Sequence, residues 1–287
     1  MAPKKDKEEV PTEEFESYLS SLEKPLAEKS AKMYLNQYKQ IYKVIKQELT
    51  PLDIVDVKKY LDSVENMNTR KNHLNIFIML KKTIPEDYAE LYELRNTLKG
   101  SIETALQEKN VDLCERLPDY KELTDFAKKQ TGRAYLVNYI LLNYGVRSQD
   151  LDTIITKEDN NNKKDNYLIL MDNDSVDYIR NRYKTIGTHG AQLHTIRDKK
   201  FVSIVKDILS DRNSVKMFEI KQADKALRKY TYKGLSESEY FKILVCHLYE
   251  TKQVSKLYKM GETRGTNIDV ILRNYNLNYQ PEITEEA

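Results

Sequence analysis

The sequence has no tryptophan, two cysteines, eight glycines and seven prolines in 287 residues. Cys114 and Cys246 are too few and too far apart for a disulfide framework or a cysteine-based zinc site. The four histidines, His73, His189, His194 and His247, show no metal-ligand spacing. So little glycine and proline leaves few turn signals for a many-stranded sheet and favours helix. No apolar run approaches the roughly 20 residues of a membrane span, and the opening MAPKKDKEEV lacks the apolar stretch of a signal peptide. The chain is therefore expected to be intracellular, neither secreted nor membrane-bound. The signatures GxxxxGK(S/T), GxGxxG, GxSxG and HExxH are all missing, and no metal or nucleotide cofactor is expected.

What the chain does have is 40% apolar residues, 21 tyrosines and 32% charge, enough for a folded and rather polar protein. The net charge of +2 names no partner, but its distribution is uneven. Residues 29–82 hold 11 Lys/Arg against five Asp/Glu, and residues 197–233 repeat that ratio. Two such blocks suit a polyanion-binding surface, although lysines that merely solvate helix faces would look the same.

Along the chain, residues 1–11 read as a charged arm. Four or five helices follow over residues 12–112. Thr12 is expected to cap the first, which carries Phe15, Leu19 and Leu22 on one face, with Pro25 breaking it. Ser30 is expected to open the second (Tyr34, Tyr38, Ile41, Ile45), Thr50-Pro51 the third, and Asn68 or Thr69 the fourth. Lysines and arginines, among them Lys39, Lys43, Arg70 and Lys71, fall opposite the apolar faces and are the candidate DNA-binding residues of this bundle. A joint is expected near 110–120, around Pro118. A second domain, 113–287, contains an almost wholly apolar helix over 133–144, a fresh helix start at Ser148, and a polar turn over 158–165. About three antiparallel strands follow (167–171, 175–184, 192–196), then helices to residue 278. The expected fold is mainly α with a small antiparallel sheet, in two domains.

The segment Tyr144–Leu151, YGVRSQDL, ends a buried helix at a glycine and places Arg147 beside new helix amides. That is a good position for a phosphate; Arg147 paired to a carboxylate such as Asp150 is the alternative. His189 and His194 flank a hairpin strand and could approach the same anion, or simply be solvated.

These residues resemble the tyrosine recombinases, or phage-type integrases. In that family the first catalytic arginine sits in a Gly-apolar-Arg-x-x-acidic-Leu segment after a buried helix, matched by Gly145, Val146, Arg147, Asp150 and Leu151. The resemblance covers about 13–278. It implies a helical core-binding domain that clasps duplex DNA, and a catalytic lysine on the hairpin between the second and third expected strands, which Lys184 matches. Further on, Glu239 falls where the family has histidine and Lys242 where it has the second arginine. Thr266, after Arg264-Gly265, replaces the usual histidine or tryptophan, and nine residues later Tyr275 stands as the nucleophile. Arg264 is expected to help bind DNA, or to compensate for the lost arginine if it turns inward. Tyr258 and Tyr279 compete with Tyr275 if the register slips. The resemblance implies cutting and rejoining of double-stranded DNA through a 3′-phosphotyrosyl bond, without metal, by a homo-oligomer that is a tetramer on two duplexes. Two readings stay open: a recombinase or integrase with a divergent active site, and a weakened or inactive relative that binds DNA for genome organisation or regulation.

Overall fold

The computed structural model describes residues 10–23, 26–82, 84–158, 164–219 and 222–277. Most of the arm, Pro25, Tyr279 and the middle of the polar turn at 158–165 lie outside these residues. The chain divides into two compact units, residues 1–108 and 109–287. It is mainly helical with one small sheet, and among the described residues no helix is long and apolar enough to cross a membrane.

The first unit contains α1 (Glu13–Ser20), α2 (Glu28–Ile45), α3 (Ile54–Asp62), α4 (Met67–Leu80) and most of α5 (Pro85–Arg116). Its core is the set that the 3.6-residue periodicity picks out: Phe15 and Leu19 of α1, Tyr38 and Ile41 of α2, Val57 and Leu61 of α3, Leu74 and Phe77 of α4. Phe15 stacks on Tyr38 with ring centroids 4.6 Å apart.

The helix starts differ from expectation. The Thr12 hydroxyl donates to the Glu16 carboxylate at 2.9 Å and makes no bond to a backbone amide. α2 starts two residues before Ser30. Asp53 caps α3, accepting from the Val55 and Asp56 amides, and Asn66 caps α4 by accepting from Thr69. Asp and Asn accept these amide protons readily and outcompete the Thr50, Asn68 and Thr69 starts. Arg70 is not a free surface cation. Its Nε donates to Val64 O at 2.9 Å, and its guanidinium also reaches Asp62 O at 3.3 Å, so it ties the α3–α4 turn together.

The second unit begins with the last turns of α5, which run through the expected joint to Arg116. It continues with α6 (Tyr120–Lys129), α7 (Gly132–Tyr144), a single 3-10 turn (Ser148–Leu151), β1 (Thr153–Thr156), β2 (Asn166–Met171), β3 (Ser175–Arg180), the short α8 (Ile186–His189) and β4 (Gln192–Ile196). Then come α9 (Lys199–Ile208), β5 (Ser214–Lys216), α10 (Ala223–Leu227), α11 (Glu237–Glu250), α12 (Val254–Arg264) and α13 (Ile268–Tyr275). The sheet has five strands in the order β4-β3-β2-β1-β5, with β1 parallel to β2 and every other pair antiparallel. It is therefore mixed, not a three-stranded antiparallel sheet. β1 and β5 are only four and three residues long, too short to show a period of two.

α7 is the centre of this unit, packed by α6, α9, α11 and α12, with Leu136, Val137, Ile140 and Leu141 all buried. Its one buried polar side chain, Asn138, is satisfied on both ends: Nδ2 donates to Ala134 O and Tyr230 O, and Oδ1 accepts from the Tyr240 hydroxyl.

The 3-10 turn is fixed by Asp150, which is fully buried. One of its carboxylate oxygens accepts from the Arg147 amide at 3.0 Å and from the Arg180 guanidinium at 2.5 Å. Its carbonyl accepts from the Tyr178 hydroxyl at 2.9 Å. Arg180, equally buried, also donates to Thr263 O at the end of α12. Removing one partner of a buried pair leaves the other charge uncompensated, typically at about 3–5 kcal/mol. Asp150→Ala is therefore expected to destabilise the second unit by about that much in urea unfolding. Exposed Asp211→Ala is expected to stay within about 0.5 kcal/mol of wild type.

Candidate functional site

α7 ends at Gly145 in the left-handed region (φ +59°), and a Cβ there would come within 2.7 Å of the Phe241 ring. Glycine is required on both counts. Val146 then anchors in the core and Arg147 emerges half-buried. The guanidinium of Arg147 donates to Arg264 O at 2.7 Å and to Thr266 Oγ1 at 2.9 Å. Asp150 thus binds the backbone amide of Arg147 and pairs with Arg180, while the Arg147 side chain is directed to the junction of α12 and α13.

That junction turns on Gly265, also left-handed (φ +62°). Arg264, just before it, folds inward and is 2% exposed. It donates to Gly145 O at 2.8 Å, pairs with Glu237 at 2.5 Å, and lies 3.4 Å from the Tyr275 hydroxyl. Its guanidinium stacks 4.0 Å above the Phe241 ring. Tyr275 meets the same ring edge-on, at 4.8 Å between centroids. Its carbonyl and the Leu277 amide both contact the Cys246 sulfur, so the exit of α13 is tied to α11.

The structure therefore brings together Arg147, Thr266, Arg264 and Tyr275. Lys184 stands exposed on the turn between β3 and β4. This turn is joined to the cluster through its neighbour: a Cβ on Gly265 would lie 1.8 Å from Thr185 Oγ1 and 3.1 Å from the His189 ring.

Three sequence assignments are corrected. Glu239 does not face the arginines: its carboxylate accepts from the Ser236 amide and hydroxyl, closing a capping box at the start of α11. Lys242 is buried with its amine on Asn110. It follows Phe241, the residue under Arg264, by about 100° around the helix, and burial, then Lys109, pulls its pKa down. It is not the second clamp. Of the two expectations for Arg264, the structure shows the inward turn: it lies inside the cluster and not on the surface. His194 also turns away from phosphate chemistry: its ring packs between Tyr144 and Tyr178, and burial lowers its pKa to about 4. Tyr258 is exposed on α12.

Glu237 was not singled out in the sequence, yet it is the only acidic partner given for Arg264 among the described residues. Burial raises its carboxyl pKa, opposed by Arg264, by the Ser148 amide and by Arg147. Arg147 in turn is pulled down by burial and by the charge of Arg264. One guanidinium beside a phenol hydroxyl, with a second bonded to the backbone of the first, is an arrangement that could receive an oxyanion. Among the described residues no group of three His, Cys, Asp or Glu could hold a metal.

Neither protein-family models, nor curated proteins, nor solved structures give a match to this chain.

Gly265 is the hinge of the cluster. Gly265→Ala is expected to destabilise the second unit by about 1–2 kcal/mol or more, from the left-handed backbone alone, and to push Thr185 and the Lys184 turn away from Arg264. Gly187→Ala, with nothing within 4 Å of the new methyl, is expected to be near neutral. Paired thermal melts check both.

Proposed function

We propose that this protein binds duplex DNA and cuts and rejoins it as a tyrosine recombinase, with Tyr275 as nucleophile. The observation that supports the reading is the chain of contacts in which Arg264 reaches the Tyr275 hydroxyl while Arg147, more than a hundred residues earlier, binds the Arg264 carbonyl and Thr266. In this mechanism the tyrosine oxygen attacks a backbone phosphorus, a 3′-phosphotyrosyl bond forms, and the 5′ oxygen leaves as a hydroxyl after taking a proton. Reversal by another 5′-hydroxyl restores the phosphodiester, so the bond energy is conserved without a nucleotide. Arg147 and Arg264 would clamp the non-bridging oxygens as charge builds. Thr266 orients Arg147, and Lys184 on its exposed turn is the candidate proton donor. The two basic blocks would supply the phosphate-backbone contacts, and assembly as a homo-oligomer on DNA belongs to the same proposal.

A second reading has its own support: Arg264 is already neutralised by Glu237. A site closed in this way suits a protein that grips DNA for organisation or regulation and cleaves it weakly or not at all.

DNA binding is tested through salt. At about 0.9 log units of affinity per log unit of salt for each phosphate neutralised, six contacts give a slope near −5. The triple variant Lys39→Ala, Lys43→Ala, Lys71→Ala is expected to weaken binding and flatten the slope by about 2–3 without unfolding; Arg70 is left intact because it holds a turn. No binding at low salt would end both readings.

Chemistry is tested on a nicked duplex library. Tyr275 is expected to form a covalent DNA adduct that survives denaturation. Tyr275→Phe should abolish it, and Arg264→Ala should slow it by roughly 10²–10³. Lys242→Arg is expected to change nothing, since that amine is held by Asn110. Binding with no adduct across the library would favour the second reading.

A further inference from the structure

Glu237 stands at the first turn of α11, 12% exposed, with its carboxylate on the Arg264 guanidinium at 2.5 Å. It is also held by the Ser148 amide and lies within the field of Arg147. Two guanidinium groups and a helix-start amide are what a tetrahedral oxyanion takes from a protein; here one protein carboxylate pairs directly with Arg264 and lies in the field of Arg147 and the Ser148 amide. Its neighbour Glu239 closes the capping box with Ser236; Glu237 takes no part in that capping, and its carboxylate goes to the buried Arg264. The helix would be capped without it, and Arg264 already donates to Gly145 O and stacks on Phe241.

We propose that Glu237 is a built-in competitor for the phosphate, occupying the anion site formed by Arg264, Arg147 and the Ser148 amide until a phosphodiester displaces it. This rests on the recombinase reading for the identity of the anion, but the site itself is a general oxyanion site. Only the fraction of molecules with Glu237 withdrawn binds the anion, so the apparent affinity is reduced by that fraction. The groups facing the carboxylate are Arg264 from α12, Arg147 and the Ser148 amide from the segment after α7, with the Tyr275 hydroxyl of α13 across Arg264. The titration runs from neutral pH down through the carboxylate range. Protonating Glu237 removes its negative charge and weakens its hold on the guanidinium groups. Since burial raises its pKa, this occurs above the usual carboxylate range, and external anions gain as pH falls.

Sulfate is the probe, because it stays a dianion throughout this window, where inorganic phosphate would titrate. The Nε–H resonances of Arg147 and Arg264 in the full chain report its binding. In the wild type, sulfate affinity is expected to rise as pH falls across this window and Glu237 takes up its proton. Glu237→Gln keeps the shape and the hydrogen bonds but loses the charge. It is expected to bind sulfate about tenfold or more tightly at pH 7.5, the factor for a site less than about a tenth open, with a flat pH profile. Glu239→Gln should leave both features as in the wild type. Wild-type affinity independent of pH, or Glu237→Gln binding no more tightly than wild type, would overturn the proposal. The wild-type pH profile decides it even if the variant does not fold. The adduct assay separates the two ideas. If sulfate behaves as expected but Glu237→Gln forms no Tyr275 adduct, the competitor stands and strand cleavage falls. If adducts form while sulfate affinity ignores Glu237, the reverse holds.

Discussion

The carboxylate of Asp150 ties together the segments on which the second unit's arginine cluster is built. Fully buried, it fixes the amide of Arg147 and pairs with Arg180. Through Arg180 it reaches Thr263 O, one residue before the second arginine of the cluster. A single negative charge thus sets the distance between the end of α7, the sheet and the end of α12. A buried ion pair is a poor way to gain stability. Its geometry is demanding, however, and here it fixes the backbone of Arg147 and the end of α12, where Arg264 follows.

Much of this was legible in the chain. Apolar spacing located the cores of α1 to α4 and the apolar α7, because burial on a helix repeats with a period the sequence records directly. Gly145 marked the end of α7, and Arg147 stands half-buried just after it. The failures have separate causes. β1 and β5 are too short for alternation to show. Lys242 and Glu239 were placed by counting from a motif, whereas their positions on α11 are decided by rotation about the helix axis. The capping box could have been read beforehand: Ser236-Glu237-Ser238-Glu239 has the S-x-x-E spacing, which commits Glu239 to the helix start and leaves Glu237 for Arg264. The inward turn of Arg264 depends on Phe241 and Gly145 O, contacts that no local pattern encodes.

The electrostatics of the cluster show a balance between folding and function. Packing Arg264 at 2% exposure beside Arg147 would be costly for two like charges in a poorly solvated place. Glu237, the carbonyls of Gly145 and Arg264, and the face of Phe241 offset that cost. The protein itself therefore supplies most of the counter-charge that this buried arginine needs.

The attachment of Tyr275 has a mechanical consequence. The backbone leaving α13 is tied to the Cys246 sulfur of α11, and the tyrosine ring packs on Phe241 of that same helix. Phe241 also lies under the Arg264 guanidinium. One helix thus braces phenol and guanidinium together, so a shift of α11 carries both groups with it.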